Sequence, residues 1–400
     1  MRRLLGLGLG RWAGVACMVP ALAMACSASS DGSEVKGNGG SGNGGSAGDT
    51  NFGGTAGTSL DGGGGLPNHC AADRYDGEPV PLDIFLLLDR SGSMRDSGKW
   101  SAVTNSVNSF LSSVPGSGVS VGISFFPVPW STNPNLPAPC DPAVGCGAYG
   151  PCLPIIQACH LGAGDDSCVS VDYTQPRVPL TELPAAAGLI QSAMAAESPD
   201  GNTTPVQPAL QGAHDYARVV AEQRPDHQVV VVLATDGEPT GCSANSISGA
   251  ASVAAAANSA TPSVKTFVIG IGDLSALNTI AASGGTGSAF IVSSGNAGQG
   301  FLDAMNEIRG ALTCQFKIPN PTTGEPNKDL VNVGLTEPGK DQAIIPRVNG
   351  PGACAGQPGW YYDNPSDPSQ ILLCPSSCDL VEFGGGVVVD VMIGCDSVVR

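Results

Sequence analysis

The feature that most constrains the fold of this 400-residue chain is a set of short, unbroken apolar runs: Ile84-Phe85-Leu86-Leu87-Leu88, Val229-Val230-Val231-Val232-Leu233 and Phe267-Val268-Ile269. They are rich in β-branched residues, too short for buried helices, and lack the alternation of a strand with one wet face, so they read as parallel strands covered on both sides. Strands are expected near 82–88, 119–126, 228–235, 264–271 and 288–292, and helices near 99–113, 184–197, 205–223, 244–260, 274–283 and 298–312. This alternation implies the α/β class, with a doubly wound, mostly parallel sheet flanked by helices, Rossmann-like in outline. Ligands bind such sheets outside the carboxyl ends of the strands. The first run ends in Asp89-Arg90-Ser91-Gly92-Ser93-Met94, which delivers one carboxylate and two hydroxyls to such an end.

The chain before this region has a different character. Arg2 and Arg3, an apolar stretch and Leu22-Ala23-Met24-Ala25-Cys26 form an export signal over residues 1–25. It resembles a bacterial lipoprotein signal, which implies lipidation of Cys26 and anchoring at the outer membrane or cell surface; secretion or a periplasmic location is the alternative. Residues 26–69 are Gly-, Ser- and Asn-rich, cannot form a core, and read as a flexible tether. The expected organisation is then a first domain over 70–314, with a proline- and cysteine-rich insert at about 127–180, and a small disulfide-stapled, β-rich module over 315–400.

Charge narrows the function. With 35 acidic against 18 basic residues the net charge is −17, which excludes nucleic acid, since phosphate binding needs clustered Lys and Arg, and favours cations or basic surfaces. His69, His160, His214 and His227 are scattered, and no Gly-x-Ser-x-Gly elbow, phosphate-binding loop or His-Glu-x-x-His motif is present, so a binding module is expected rather than an enzyme.

Three separated motifs make residues 80–312 similar to the von Willebrand factor A domain family: Asp89-x-Ser91-x-Ser93, Gly201-Asn202-Thr203-Thr204-Pro205 and Thr235-Asp236-Gly237. The resemblance implies that they converge on a metal-ion-dependent adhesion site. Asp89, Ser91, Ser93, Thr204 and Asp236 offer only oxygen, which suits Mg²⁺ or another hard divalent cation such as Ca²⁺ or Mn²⁺. Asn202-Thr203-Thr204 stands where the family has Gly-Gly-Thr, leaving Thr203 and Thr204 as alternatives; the six-residue spacing to Leu210 favours Thr204. A site of this kind would bind a protein ligand whose acidic residue completes the metal's sphere. The alternative is a structural envelope component, or an accessory subunit of an envelope assembly, in which the metal only stabilises the fold. The oligomeric state is not legible.

An even set of cysteines in an exported chain points to disulfides. The insert carries Cys140, Cys146, Cys152, Cys159 and Cys168, an odd number that Cys242, just after Thr235-Asp236-Gly237, could complete. A zinc site on Cys152, Cys159 and His160 is the weaker reading, because exported thiols oxidise. Cys70 and Cys314 bracket the first domain as terminal disulfides do in some members of the family, which implies a pair. Cys354, Cys374, Cys378 and Cys395 would then close among themselves. Trp360-Tyr361-Tyr362 reads as the aromatic bulk of a small core.

Overall fold

The computed structural model describes residues 73–114, 118–129, 139–149, 151–155, 157–159, 166–321, 326–383, 386–394 and 396–399. The expected export signal, Cys26, the tether, Cys70, His160 and Cys395 lie outside them. The chain runs through β1 (Asp73–Asp76), β2 (Leu82–Asp89), α1 (Lys99–Ser113), β3 (Val119–Phe126), β4 (Cys152–Leu153), β5 (Ala158–Cys159) and β6 (Val178–Glu182). It continues through α2 (Ala185–Ala195), α3 (Val206–Gln223), β7 (Gln228–Thr235), α4 (Ile247–Ser259), β8 (Lys265–Ile271), α5 (Asn278–Ser283), β9 (Phe290–Val292) and α6 (Ala297–Thr313). The C-terminal part comprises β10 (Gln315–Lys317), β11 (Val331–Thr336), β12 (Ala343–Ile345), β13 (Trp360–Tyr362), β14 (Gln370–Leu373), α7 (Pro375–Phe383) and β15 (Val388–Ile393).

Six strands form the main sheet in the order β6-β3-β2-β7-β8-β9. β3, β2, β7, β8 and β9 are parallel, and β6 pairs antiparallel with β3 at the edge. The apolar run of β2 is continuous because both faces of the sheet are covered. Ile84, Leu86 and Leu88 pack with Phe110 of α1, Ile190 of α2 and Phe301 of α6, while Phe85 and Leu87 pack with Leu210 of α3, Ala254 of α4 and Ile280 of α5. Each such side chain contributes about 1.5–3 kcal/mol on burial, so the sheet centre is the rigid base of the loops at its carboxyl edge. β6 falls at the end of the expected insert, where Val178 and Leu180 are buried and alternate with exposed or half-exposed neighbours.

The C-terminal part builds two small sheets, β1-β15-β11-β12 and β10-β14-β13. They share a core containing Phe316, Val333, Trp360, Ile371 and Val391. Trp360 is fully buried, as its core reading requires. β1, a strand the sequence did not announce, lies within the span 70–314 expected for the first domain but pairs antiparallel with β15 in the C-terminal sheet. The chain then enters the main sheet past β10, through Val80 N–H to Gln315 O at 2.9 Å.

Five disulfides lie within the described residues: Cys140–Cys152, Cys146–Cys159, Cys168–Cys242, Cys314–Cys378 and Cys354–Cys374. The insert does take Cys242 as its sixth partner. The sulfurs of Cys152 and Cys159 are both committed to disulfides, which removes the zinc reading. The expected pairing of Cys70 with Cys314 is overturned, and with it the closure of four C-terminal cysteines among themselves. Cys314 ends α6, α7 packs against that helix, and Cys378 on α7 therefore lies with its Cα 5.6 Å from that of Cys314. Among the described residues no helix is long and apolar enough to cross a membrane.

Candidate metal site

The carboxyl ends of β2 and β7 are adjacent in the parallel register, so Asp89 and Thr235-Asp236-Gly237 meet although 146 residues separate Asp89 from Thr235. The third loop is brought in by backbone pairing: Gly92 N–H donates to Gly201 O at 2.8 Å and Gly201 N–H donates to Arg90 O at 3.2 Å. Gly201 is required there, because a Cβ at this position would lie 2.2 Å from Cγ of Pro127. Arg90, only 8% exposed, fastens the same loop through Glu197 Oε2 at 2.8 Å, Ser198 O at 3.1 Å and the Asp200 carboxylate.

Within this frame the five expected residues come together. Asp89 is fully buried; its Oδ1 accepts from Ser91 N–H at 2.7 Å and its Oδ2 from the Thr235 hydroxyl at 2.5 Å. The Ser91 and Ser93 hydroxyls lie 3.1 Å apart, and Ser93 donates to Asp236 Oδ1 at 2.7 Å. The other Asp236 oxygen is held by the ammonium of Lys99. Thr204 is 5% exposed, and its hydroxyl lies 3.6 Å from where a Cβ on Gly237 would sit. The alternative threonine is engaged elsewhere: the Thr203 hydroxyl donates to Asp166 Oδ2 at 3.0 Å. Thr204 therefore faces Gly237, next to Asp236, whereas the Thr203 side chain packs farther along that loop, against Gly241, and bonds Asp166.

Burial dominates the electrostatics of Asp89. Loss of water raises its pKa to about 6, against the lowering pull of hydrogen bonds from Thr235 and Ser91, and the Asp236 charge raises it further. A buried carboxylate of this kind is stabilised by a cation. The donor set around it, carboxylates and hydroxyls without nitrogen or sulfur, fits a hard divalent ion. Lys99 shows that Asp236 already draws a positive charge.

Sequence reasoning missed the residues that hold this set in place. Thr235 fixes the Asp89 carboxylate, Lys99 pairs with Asp236, and Asp166 of the insert accepts from Asn202 N–H at 2.8 Å, Thr203 N–H at 2.7 Å and the Thr203 hydroxyl. Two residues beyond Asp166, the Cys168–Cys242 bridge ties the insert to the loop after Asp236. The last two loops are also knit together: Asn245 Nδ2 donates to Thr204 O and Thr240 O, each at 2.8 Å, and Thr204 N–H donates to the Thr240 hydroxyl at 2.9 Å. A groove of ≈ 770 Å³ runs beside the site, lined in part by Arg90, Pro127, Tyr173, Arg177, Glu197 and Asn202.

Residues 169–304 match the family model of the von Willebrand factor type A domain. The chain therefore carries a von Willebrand factor type A domain, the class its flanked sheet and edge loops define. Thr204 and Asp236 lie inside the matched span, and Asp89, Ser91 and Ser93 precede it, joined to it by the contacts above. Three solved structures are similar at low identity. One is proximal thread matrix protein 1 from the mussel byssus, with a zinc-occupied MIDAS motif, at 17% identity and TM-score 0.37 over 61% of this chain and 50% of that one. The pilus adhesin SpaC from Lactobacillus rhamnosus GG, in an open conformation, gives 16% identity and TM-score 0.42 over 81% of this chain and 40% of the adhesin. A von Willebrand factor type A protein from Catenulispora acidiphila gives 12% and 0.39 over 82% and 61%. The chain thus spans about half the length of the mussel protein and less than two thirds of the other two. No curated protein matches the sequence.

Proposed function

We propose that this chain is an exported binding protein rather than an enzyme. In this reading its von Willebrand factor type A domain holds Mg²⁺, or a similar hard divalent cation, on Asp89, Ser91, Ser93, Thr204 and Asp236, and captures a protein ligand that presents an acidic side chain. The observation that carries it is the convergence of these five oxygen-bearing side chains from three distant loops onto one sheet edge. When bound, the ion supplies a coordination position that a ligand carboxylate can fill. The chain's own residues do the rest: Ser91 and Ser93 present hydroxyls, Thr235 fixes the Asp89 carboxylate, and Asp166 and Asn245 hold the Thr204 loop. Five described disulfides support an oxidising, extracytoplasmic location, and a lipid on Cys26 with the tether behind it would hold the site away from a membrane.

Capture of partners from an envelope extract tests this reading, with wild type and Asp236→Ala as baits and with Mg²⁺ or chelator present. The expected result is a protein retained only by wild type with cation. Equal recovery from both baits and under chelation would overturn it. Unfolding on chelation would instead give the ion a structural role.

A further inference from the structure

Lys99 is the cation already at this site. Its ammonium is paired with Asp236, and both partners are withdrawn from water, the lysine side chain at 12% exposure and the aspartate side chain at 0%. Ser93 occupies the other carboxylate oxygen at 2.7 Å, so both Asp236 oxygens are engaged within the chain. Helix stability does not account for a lysine here. Lys99 is the first residue of α1, where the helix dipole favours negative charge, and no acidic residue offsets it in that turn. The backbone leading to it is also costly at Ser97, whose φ of 55° lies in the left-handed region that a residue with a side chain sparsely populates, while Gly98, at 70°, takes it freely. The segment between the Asp89-x-Ser91-x-Ser93 loop and α1 therefore accepts an unfavourable charge and an unfavourable turn, and the ion pair with Asp236 is what it gains.

We propose that Lys99 is a tethered counter-cation of the metal site, holding Asp236 in the ion-free chain and competing with a divalent ion for that carboxylate. The inference rests on the metal-binding reading above and concerns the regulation of the same site. A buried carboxylate with no counter-charge would be destabilising, so the lysine keeps the loops assembled when no ion is bound. A divalent ion brings twice the charge and can take the oxygen directly, at the cost of moving the ammonium on its flexible stem. The lysine therefore lowers the affinity for the ion while preserving the fold without it.

The test is calorimetric titration of Mg²⁺ and Mn²⁺ into the chelator-stripped full chain, comparing wild type with Lys99→Met and Lys99→Arg, alongside thermal unfolding of each with and without ion. Removing the competing charge should tighten ion binding about tenfold or more, and Lys99→Arg should behave as wild type. Lys99→Met should also melt lower in chelator and gain more from added Mg²⁺ than wild type does; a purely structural lysine would lower the melting point without that extra gain. If Lys99→Met does not fold without ion, Lys99→Gln, which still donates to Asp236 but carries no charge, should fold and bind more tightly than wild type. Equal or weaker ion affinity in the uncharged variants, with wild type binding, would overturn the inference and leave the metal site standing. If no form binds an ion, both fall.

Discussion

Asp89→Asn separates a site kept for binding from one kept for stability. The wild-type carboxylate is fully buried and its pKa is raised from 3.8 to about 6. A folded-state pKa above the unfolded value means that the native chain holds its proton more tightly, so the associated stability is present below about pH 4 and is lost as pH rises through about 6. The loss amounts to about 3 kcal/mol at pH 7.5 in the ion-free protein, at about 1.4 kcal/mol per pKa unit. Asparagine removes the charge, retains an oxygen for Ser91 N–H and exchanges the Thr235 contact, at a cost of about 1 kcal/mol. In chelator at pH 7.5, urea unfolding should therefore show Asp89→Asn about 2 kcal/mol more stable than wild type, and at pH 4.5 the advantage should vanish. Saturating Mg²⁺, at about a hundred times its dissociation constant, should add about 2.7 kcal/mol to wild type and nothing to the variant. A variant less stable than wild type in chelator at pH 7.5, or a gap that does not change with pH, would refute the reasoning.

Three further outcomes follow from the same contacts. His214 is buried, bonded through Nε2 to the Thr266 hydroxyl at 2.8 Å, and burial lowers its pKa to about 4. Its stabilising effect is present above about pH 6.5 and lost as pH falls through about 4, so the stability of wild type relative to His214→Gln should drop by about 3 kcal/mol between pH 7 and pH 4 in urea titrations. Asp166→Ala should weaken Mg²⁺ binding in calorimetry by about tenfold by releasing the Asn202-Thr203 loop, whereas Asp166→Asn, which can still accept from that loop, should retain most of the affinity. Replacing Cys168 and Cys242 together by serine opens a bridge of sequence separation 74 and should lower the unfolding free energy by about 4 kcal/mol, with a parallel loss of ion affinity.

The sheet was legible because its strands are covered on both faces, which leaves continuous apolar runs such as Phe85–Leu88 that fit no other element of that length. The five candidate site residues could be named from three motifs: Asp89, Ser91, Ser93 and Asp236 stand at or just beyond the ends of β2 and β7, whereas Thr204, in the loop between α2 and α3, follows no strand and was legible only through the family resemblance. What escaped depends on tertiary approach. Asp166 lies in an insert without periodicity and meets Asn202 only in space, and Lys99 reads as an ordinary helix residue until its ammonium is seen against Asp236. β1 was not anticipated, because a four-residue strand carries little periodicity and no sign of its partner, and β15 lies more than 300 residues away. Disulfide pairing is likewise invisible to spacing: the contact of α6 with α7, not sequence order, selects Cys378 for Cys314.

The central claim is tested most directly by titrating Mg²⁺ and Mn²⁺, with Zn²⁺ in a separate run, into the purified, chelator-stripped chain under calorimetry. The account predicts one ion per chain, bound by wild type and by a control changed at Asp363 in the C-terminal module, and lost when Asp89 and Ser91 are both replaced by alanine. Absence of binding in wild type, or equal binding after the double replacement, would contradict it.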